Sequence, residues 1–162
     1  MKNQSDNNPL NNYTISGKKI GIVKSLWNSE ITNKLYKGCC ATLIEYGAKN
    51  KNIYTLEVPG SFELIYGGKQ ILKQAKLDAV ILIGSVIKGE TPHFEFISQS
   101  ICHGIKDLNI LFEIPFVLCV LTDLNKKQAL DRSGGKKGNK GSDCAIATIQ
   151  LMKNTSWLII SI

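Results

Sequence analysis

Short apolar runs alternate with longer segments whose apolar positions recur at helical spacing. Lys18 to Val23 reads as a first strand. Asn28 or Ser29 then caps a helix with Ile31, Leu35, Cys39 and Leu43 on one face, and Gly47 stops it. Ile53 to Val58 reads as a second strand, ended by Pro59-Gly60. From Ser61 a helix is predicted over Phe62 to about Lys76, with Leu64, Ile65, Ile71, Leu72 and Ala75 as its apolar positions. Ala79 to Ile83 is an unbroken, β-branched run, as expected of a strand buried on both faces. Gly84 to His93 follows as a strand-to-helix loop, because Pro92 suits the first turn of a helix reaching about Leu108. Ile97, Ile101 and Ile105 mark that helix's buried side. Ile114 to Leu121 predicts a fourth strand, and Thr122-Asp123 a cap for a helix toward Arg132, broken at Gly134-Gly135. Gly141-Ser142-Asp143 opens a last helix through Ala145, Ile146, Ile149 and Leu151.

Strands alternating with helices at this spacing imply right-handed crossovers, a parallel sheet and three layers. In such folds ligands bind beyond the carboxyl ends of the strands. The loops there would gather Trp27, Ser61-Phe62-Glu63, Ser85 to His93 and Leu121-Thr122. His93 supplies an ionisable imidazole. Trp27 is either a stacking platform or a lid on the core, the core being the commoner use. Glu63 alone reads as a first-turn acid complementing a helix dipole.

Composition narrows the picture. A chain of 162 residues, 43% hydrophobic and 20% charged, fits one globular domain. Residues 1–16 form a polar extension without the apolar segment of a signal peptide, and no apolar run approaches the roughly 20 residues of a spanning helix. The expected compartment is the cytoplasm, with no membrane partner. Residues 155–162 form an apolar tail behind a domain at 17–154. The five cysteines are odd in number and lack zinc-site spacing, so reduced thiols and no metal are expected. The net charge of +7 rests on nineteen lysines spread along the chain, which argues against a nucleic-acid surface. Arg132 is the single arginine, a residue suited to forked recognition of an oxyanion. The glycines from Gly134 to Gly141 match neither dinucleotide-binding nor P-loop spacing, which removes a kinase or NTPase reading.

Four segments in order and spacing carry a resemblance: Lys19 to Val23, Val58-Pro59-Gly60-Ser61-Phe62-Glu63, Gly84 to Phe94, and Asp131 to Gly141. Together they resemble lumazine synthase, the 6,7-dimethyl-8-ribityllumazine synthase of riboflavin biosynthesis, over about residues 17 to 154. The resemblance implies an α/β, three-layer, flavodoxin-like fold with a four-stranded parallel sheet flanked by helices. It implies condensation of 5-amino-6-(D-ribitylamino)uracil with 3,4-dihydroxy-2-butanone 4-phosphate, without cofactor or metal. His93 matches the family's proton-transfer histidine, a role suited to imidazole near neutral pH. Trp27 would stack on the pyrimidine. Ser61, Phe62 and Glu63 would hold the ribityl chain and ring edge, while Ser85, Val86 and Ile87 present backbone groups to the heterocycle. Glu90 and Thr91 would bind phosphate through helix-start amides, helped by Lys88, Arg132 and Lys140. Leu118, Arg132 and Lys140 map to a wall that the family supplies from a neighbouring subunit.

The sequence departs from the family pattern at Leu118, where an aromatic is frequent, at Cys119, where glycine is common, and at Lys88 in place of arginine. The expected partners are the two small substrates and further copies of the chain, in a pentamer or a 60-subunit icosahedral shell, with riboflavin synthase as another partner the resemblance allows. The compact Gly134 to Gly141 run leans toward the shell. Two rivals are a flavin- or lumazine-binding module without turnover, and a basic shell that packages anionic cargo.

Overall fold

A computed structural model describes residue 10 and residues 12–158, with side chains through residue 154. Four parallel strands, β1 (Ile20–Ser25), β2 (Ile53–Val58), β3 (Ala79–Ile87) and β4 (Phe116–Asp123), form a sheet in the order β2-β1-β3-β4. Helices α1 (Ser29–Glu45) and α5 (Lys140–Leu158) cover one face; α2 (Leu64–Ile71) and α3 (His93–Leu111) cover the other. A short helix, α4 (Lys126–Arg132), and a small antiparallel hairpin, β5 (Ser133–Gly135) and β6 (Gly138–Asn139), link β4 to α5.

Alternation along each strand divides the core. Ile20, Ile22, Ile81, Ile83, Cys119 and Leu121 face α1 and α5, where Leu35, Cys39 and Ile149 meet them. Val23, Val80, Leu82 and Phe116 face α2 and α3, where Leu64, Ile101 and Ile105 meet them. Ile20 through Val23 and Ala79 through Ile83 are all buried, so both central strands read as continuous apolar runs. The expected three-layer sheet is therefore present, with helices on both faces.

Several boundaries differ from the sequence reading. β3 continues through Gly84, Ser85, Val86 and Ile87, which pair with Val120, Leu121, Thr122 and Asp123. The free loop is thus only Lys88 to Pro92, because β4 offers backbone partners that periodicity cannot reveal. β4 begins at Phe116 instead of Ile114. Pro115 has no N–H to give, although its carbonyl accepts the Val80 N–H at 2.9 Å. α2 is shorter than expected, starting at Leu64 and giving way to single turns after Ile71. The cap of α4 is Asn125, whose Oδ1 accepts the Gln128 N–H at 3.0 Å, instead of Thr122-Asp123. The Gln128 amide returns the bond by accepting from Leu124 N–H at 2.9 Å, a reciprocal closure of the helix start.

The glycine run from Gly134 to Gly141 serves packing in part. A Cβ on Gly141 would run into the Leu35 carbonyl of α1. Asn139 secures the same contact, donating from Nδ2 to the Lys34 carbonyl at 3.0 Å and accepting the Gly141 N–H at 2.8 Å. α5 carries the backbone into the apolar tail as far as Leu158. The rest of the tail and most of the polar extension lie outside the described residues. No described helix is long and apolar enough to cross a membrane, and no described His, Cys, Asp and Glu side chains cluster as metal ligands.

Candidate active site

The carboxyl ends of β1, β2 and β3 bring three loops together. Leu26 N–H donates to the Val58 carbonyl at 2.8 Å and Trp27 N–H to the Pro59 carbonyl at 3.0 Å, which fixes the first loop against the second. Asn28 adopts a left-handed backbone at φ 56°, a conformation Asn tolerates better than most residues. Its side chain is not used to cap α1; Nδ2 donates to the Ser85 carbonyl at 3.1 Å and ties the loop to β3. Thr32 Oγ1 donates to the Ser25 carbonyl at 2.9 Å and holds α1 to the end of β1.

The second loop meets β3 at Ser61 and Gly84. Ser61 Oγ accepts the Ser85 N–H at 3.1 Å, and both serines are buried. Gly84 makes that approach possible: a Cβ there would lie 2.6 Å from Ser61 Oγ and 2.9 Å from Leu64 Cδ1. The Ser61 hydroxyl is therefore a brace between the second loop and β3. The Glu63 carboxylate folds back over Gly60, close enough that a Cβ on Gly60 would lie 2.8 Å from Oε2.

These elements enclose a cavity of about 500 Å³ lined by Trp27, Asn28, Gly60, Ser61, Phe62, Glu63, Ser85, Val86, Ile87, His93 and Ile97. All eight pyrimidine-side and catalytic positions named from this half of the sequence, Trp27, Ser61, Phe62, Glu63, Ser85, Val86, Ile87 and His93, are on that wall. Trp27 is 71% exposed, which rules out the reading of it as a lid on the core. Phe62 is also half exposed, so the cavity has two aromatic faces open to a planar ligand. His93 is the exposed first residue of α3. Glu90 and Thr91 sit in the exposed loop before it, next to the start of the helix.

A second cavity of about 490 Å³ is lined by Asp123, Gln128, Asp131, Arg132, Lys137 and Lys140. Arg132 and Lys140 thus do not join His93 within one chain. Leu118 stands on β4 with 41% exposure and lines neither cavity. The cations expected at phosphate are already matched by acids. Lys88 Nζ is 2.9 Å from Glu95 Oε1, Lys140 Nζ is 2.7 Å from Asp143 Oδ2, and Arg132 Nη1 is 3.3 Å from Asp123 Oδ1. The hydrogen bond from Lys88 holds the Glu95 carboxyl below its ordinary range.

A family model described as 6,7-dimethyl-8-ribityllumazine synthase matches residues 17–156. The chain belongs to the lumazine synthase family. It is 52% identical over 151 residues to the 6,7-dimethyl-8-ribityllumazine synthase of Flavobacterium psychrophilum, covering 90% of this chain and 80% of that protein. It is 51% identical over 133 residues to the enzyme of that name from Flavobacterium johnsoniae, covering 82% and 70% respectively. A third, from Christiangramia forsetii, is 50% identical over 134 residues, covering 82% and 80%.

Lumazine synthase motifs pointed to the cavity wall, but Asn28, Gly60 and Ile97 were missed as members of it. Asn28 adjoins Trp27, and an Asn in a loop is a signal for left-handed backbone. Nothing in the sequence, however, identifies the Ser85 carbonyl as its partner. Local sequence marks Asp123 only as a helix cap, yet its carboxylate accepts a hydrogen bond from Arg132 Nη1 at 3.3 Å.

Proposed function

We propose that the chain condenses 5-amino-6-(D-ribitylamino)uracil with 3,4-dihydroxy-2-butanone 4-phosphate, giving 6,7-dimethyl-8-ribityllumazine, phosphate and water. The carrying observation is the convergence of Trp27, Phe62, Glu63, Ser85 to Ile87 and His93 on one cavity at the sheet's carboxyl edge. In this reading the pyrimidine lies against Trp27 and takes hydrogen bonds from the β3 backbone, and Glu63 accepts from ribityl hydroxyls. Glu90 and Thr91 amides receive the phosphate. The substrate amine attacks the ketone and loses water to form a Schiff base, phosphate is eliminated, and the ring closes with loss of a second water. His93 transfers protons among these steps. Orienting two bound substrates supplies much of the acceleration, up to roughly 7–11 kcal/mol for well-aligned reactants.

The site is completed by a neighbouring copy that brings Leu118, Arg132 and Lys140 to the cavity. The separation of Arg132 and Lys140 from His93 within one chain supports this reading. So do exposed apolar side chains remote from the cavity, among them Leu111 at 74% and Ile110 at 71%. The assembly is at least a pentamer, and the short β5–β6 bend favours the icosahedral shell; sedimentation separates the two.

The direct test mixes both substrates with purified protein and follows lumazine fluorescence. Product formation is expected, and its absence from folded, assembled protein would overturn the reading. Arg132→Ala should raise KM for the butanone phosphate roughly 10- to 100-fold, the equivalent of losing one or more charge-assisted hydrogen bonds. An unchanged KM would remove Arg132 from the phosphate site.

A further inference from the structure

We infer that Asp123 is a positioning residue, which aims the Arg132 guanidinium at the phosphate of the butanone substrate. This rests on the proposed role of Arg132 at that phosphate. Asp123 is the last residue of β4 and only 3% exposed. Its backbone cannot drift, because its carbonyl accepts the Lys88 N–H at 2.9 Å and its Cα stands in register with Ile87.

The carboxylate is used in an unusual way for so buried an acid. Oδ1 accepts a single hydrogen bond from Arg132 Nη1 at 3.3 Å, and Oδ2 is buried without a partner among the described residues. A guanidinium and a carboxylate can meet through two parallel bonds that occupy both oxygens. Here they do not, although leaving a buried carboxylate oxygen unmatched is costly. The one-point contact tethers the guanidinium and leaves most of its five N–H donors for the cavity that both residues line. Arg132 is itself 40% exposed on that cavity.

The other two cations contrast with it. Lys88 and Lys140 pair with Glu95 and Asp143, and in both pairs each side chain is about 40–57% exposed. Such contacts are readily exchanged with solvent and fix little. Only Arg132 leans on an acid that cannot move away. Asp123 also carries a charge that opposes a phosphate anion, so its value to the site must lie in the acceptor geometry.

Kinetics with each substrate varied in turn test this in the full-length, assembled protein. Asp123→Ala should raise KM for the butanone phosphate about tenfold, the scale of one lost charge-assisted hydrogen bond, with KM for the uracil substrate and kcat little changed. Asp123→Asn keeps an acceptor oxygen and should restore KM to within about threefold of the parent. In an Arg132→Ala background, adding Asp123→Ala should shift KM no further. If Asp123→Ala does not assemble, Asp123→Ser, one bond too short to reach Nη1, takes its place. The inference is overturned if KM for the butanone phosphate is unchanged or lower, if both KM values rise together, or if Asn and Ala behave alike. Arg132→Ala measured alongside separates the two claims: an unchanged KM there defeats the reading of Arg132, whereas a raised KM there with none in Asp123→Ala defeats only the role of Asp123.

Discussion

Gly84→Ala offers a quantitative test of how the site is held. The backbone at Gly84 is not left-handed, so alanine is conformationally admissible, and lost freedom in the unfolded chain would favour it by about 0.4–1 kcal/mol. Against that, the new Cβ would lie 2.6 Å from Ser61 Oγ, 2.9 Å from Leu64 Cδ1 and 3.1 Å from Ser61 Cβ. Leu64 is fully buried and has nowhere to turn. Overpacking of this kind costs about 1–3 kcal/mol. Moving Ser61 also strips the buried Ser85 N–H of its acceptor, for about another 1–3 kcal/mol. The net expectation is a loss of about 3 kcal/mol, or a thermal midpoint lowered by roughly 6–12 °C for a chain of this size. Thermal unfolding at fixed protein concentration measures it. Steady-state kinetics should show KM for the uracil substrate raised more than KM for the butanone phosphate, because the displaced segment is Ser61 to Glu63. If the clash is the cause, Ser61→Ala combined with Gly84→Ala should be no less stable than Gly84→Ala alone. A midpoint within 1 °C of the parent, with both KM values unchanged, would refute the reasoning.

Other expectations are simpler. His93→Ala should slow turnover by about 100-fold while leaving measurable product, because orientation survives; complete loss of activity in assembled protein would contradict this. Co-expressing His93→Ala with Arg132→Ala chains should give mixed assemblies more active than either variant alone, and additive activities would argue against a site shared between subunits. Asn28→Ala should be less stable than Asn28→Gly by about 1 kcal/mol, since both lose the bond to Ser85 but only alanine resists the left-handed backbone; equal denaturant midpoints would remove that account. Burial pushes the Cys39 thiol far above its ordinary range, so iodoacetamide at pH 8 should label exposed Cys102 and leave Cys39 unmodified until unfolding, as read by peptide mass spectrometry.

Apolar periodicity and turn residues alone determined the four strands, the main helices and the sheet edge at which chemistry could gather. They sufficed because β-branched runs such as Ala79 to Ile83, and four-residue recurrences such as Ile97, Ile101 and Ile105, are local signals of burial. The resemblance to the lumazine synthase family then implied every residue on the pyrimidine side of the cavity except Asn28, Gly60 and Ile97. Tertiary structure decided what depends on partners distant in the chain. Gly84 to Ile87 are strand because β4 completes their ladder, and Trp27 is exposed because its loop is fastened to Pro59 and Ser85 instead of folding inward. Asp123 changed most, from an expected helix cap to a buried acid under Arg132. No local pattern encodes such pairings. They arise where backbone ladders and buried side chains from separate segments must satisfy one another's hydrogen bonds.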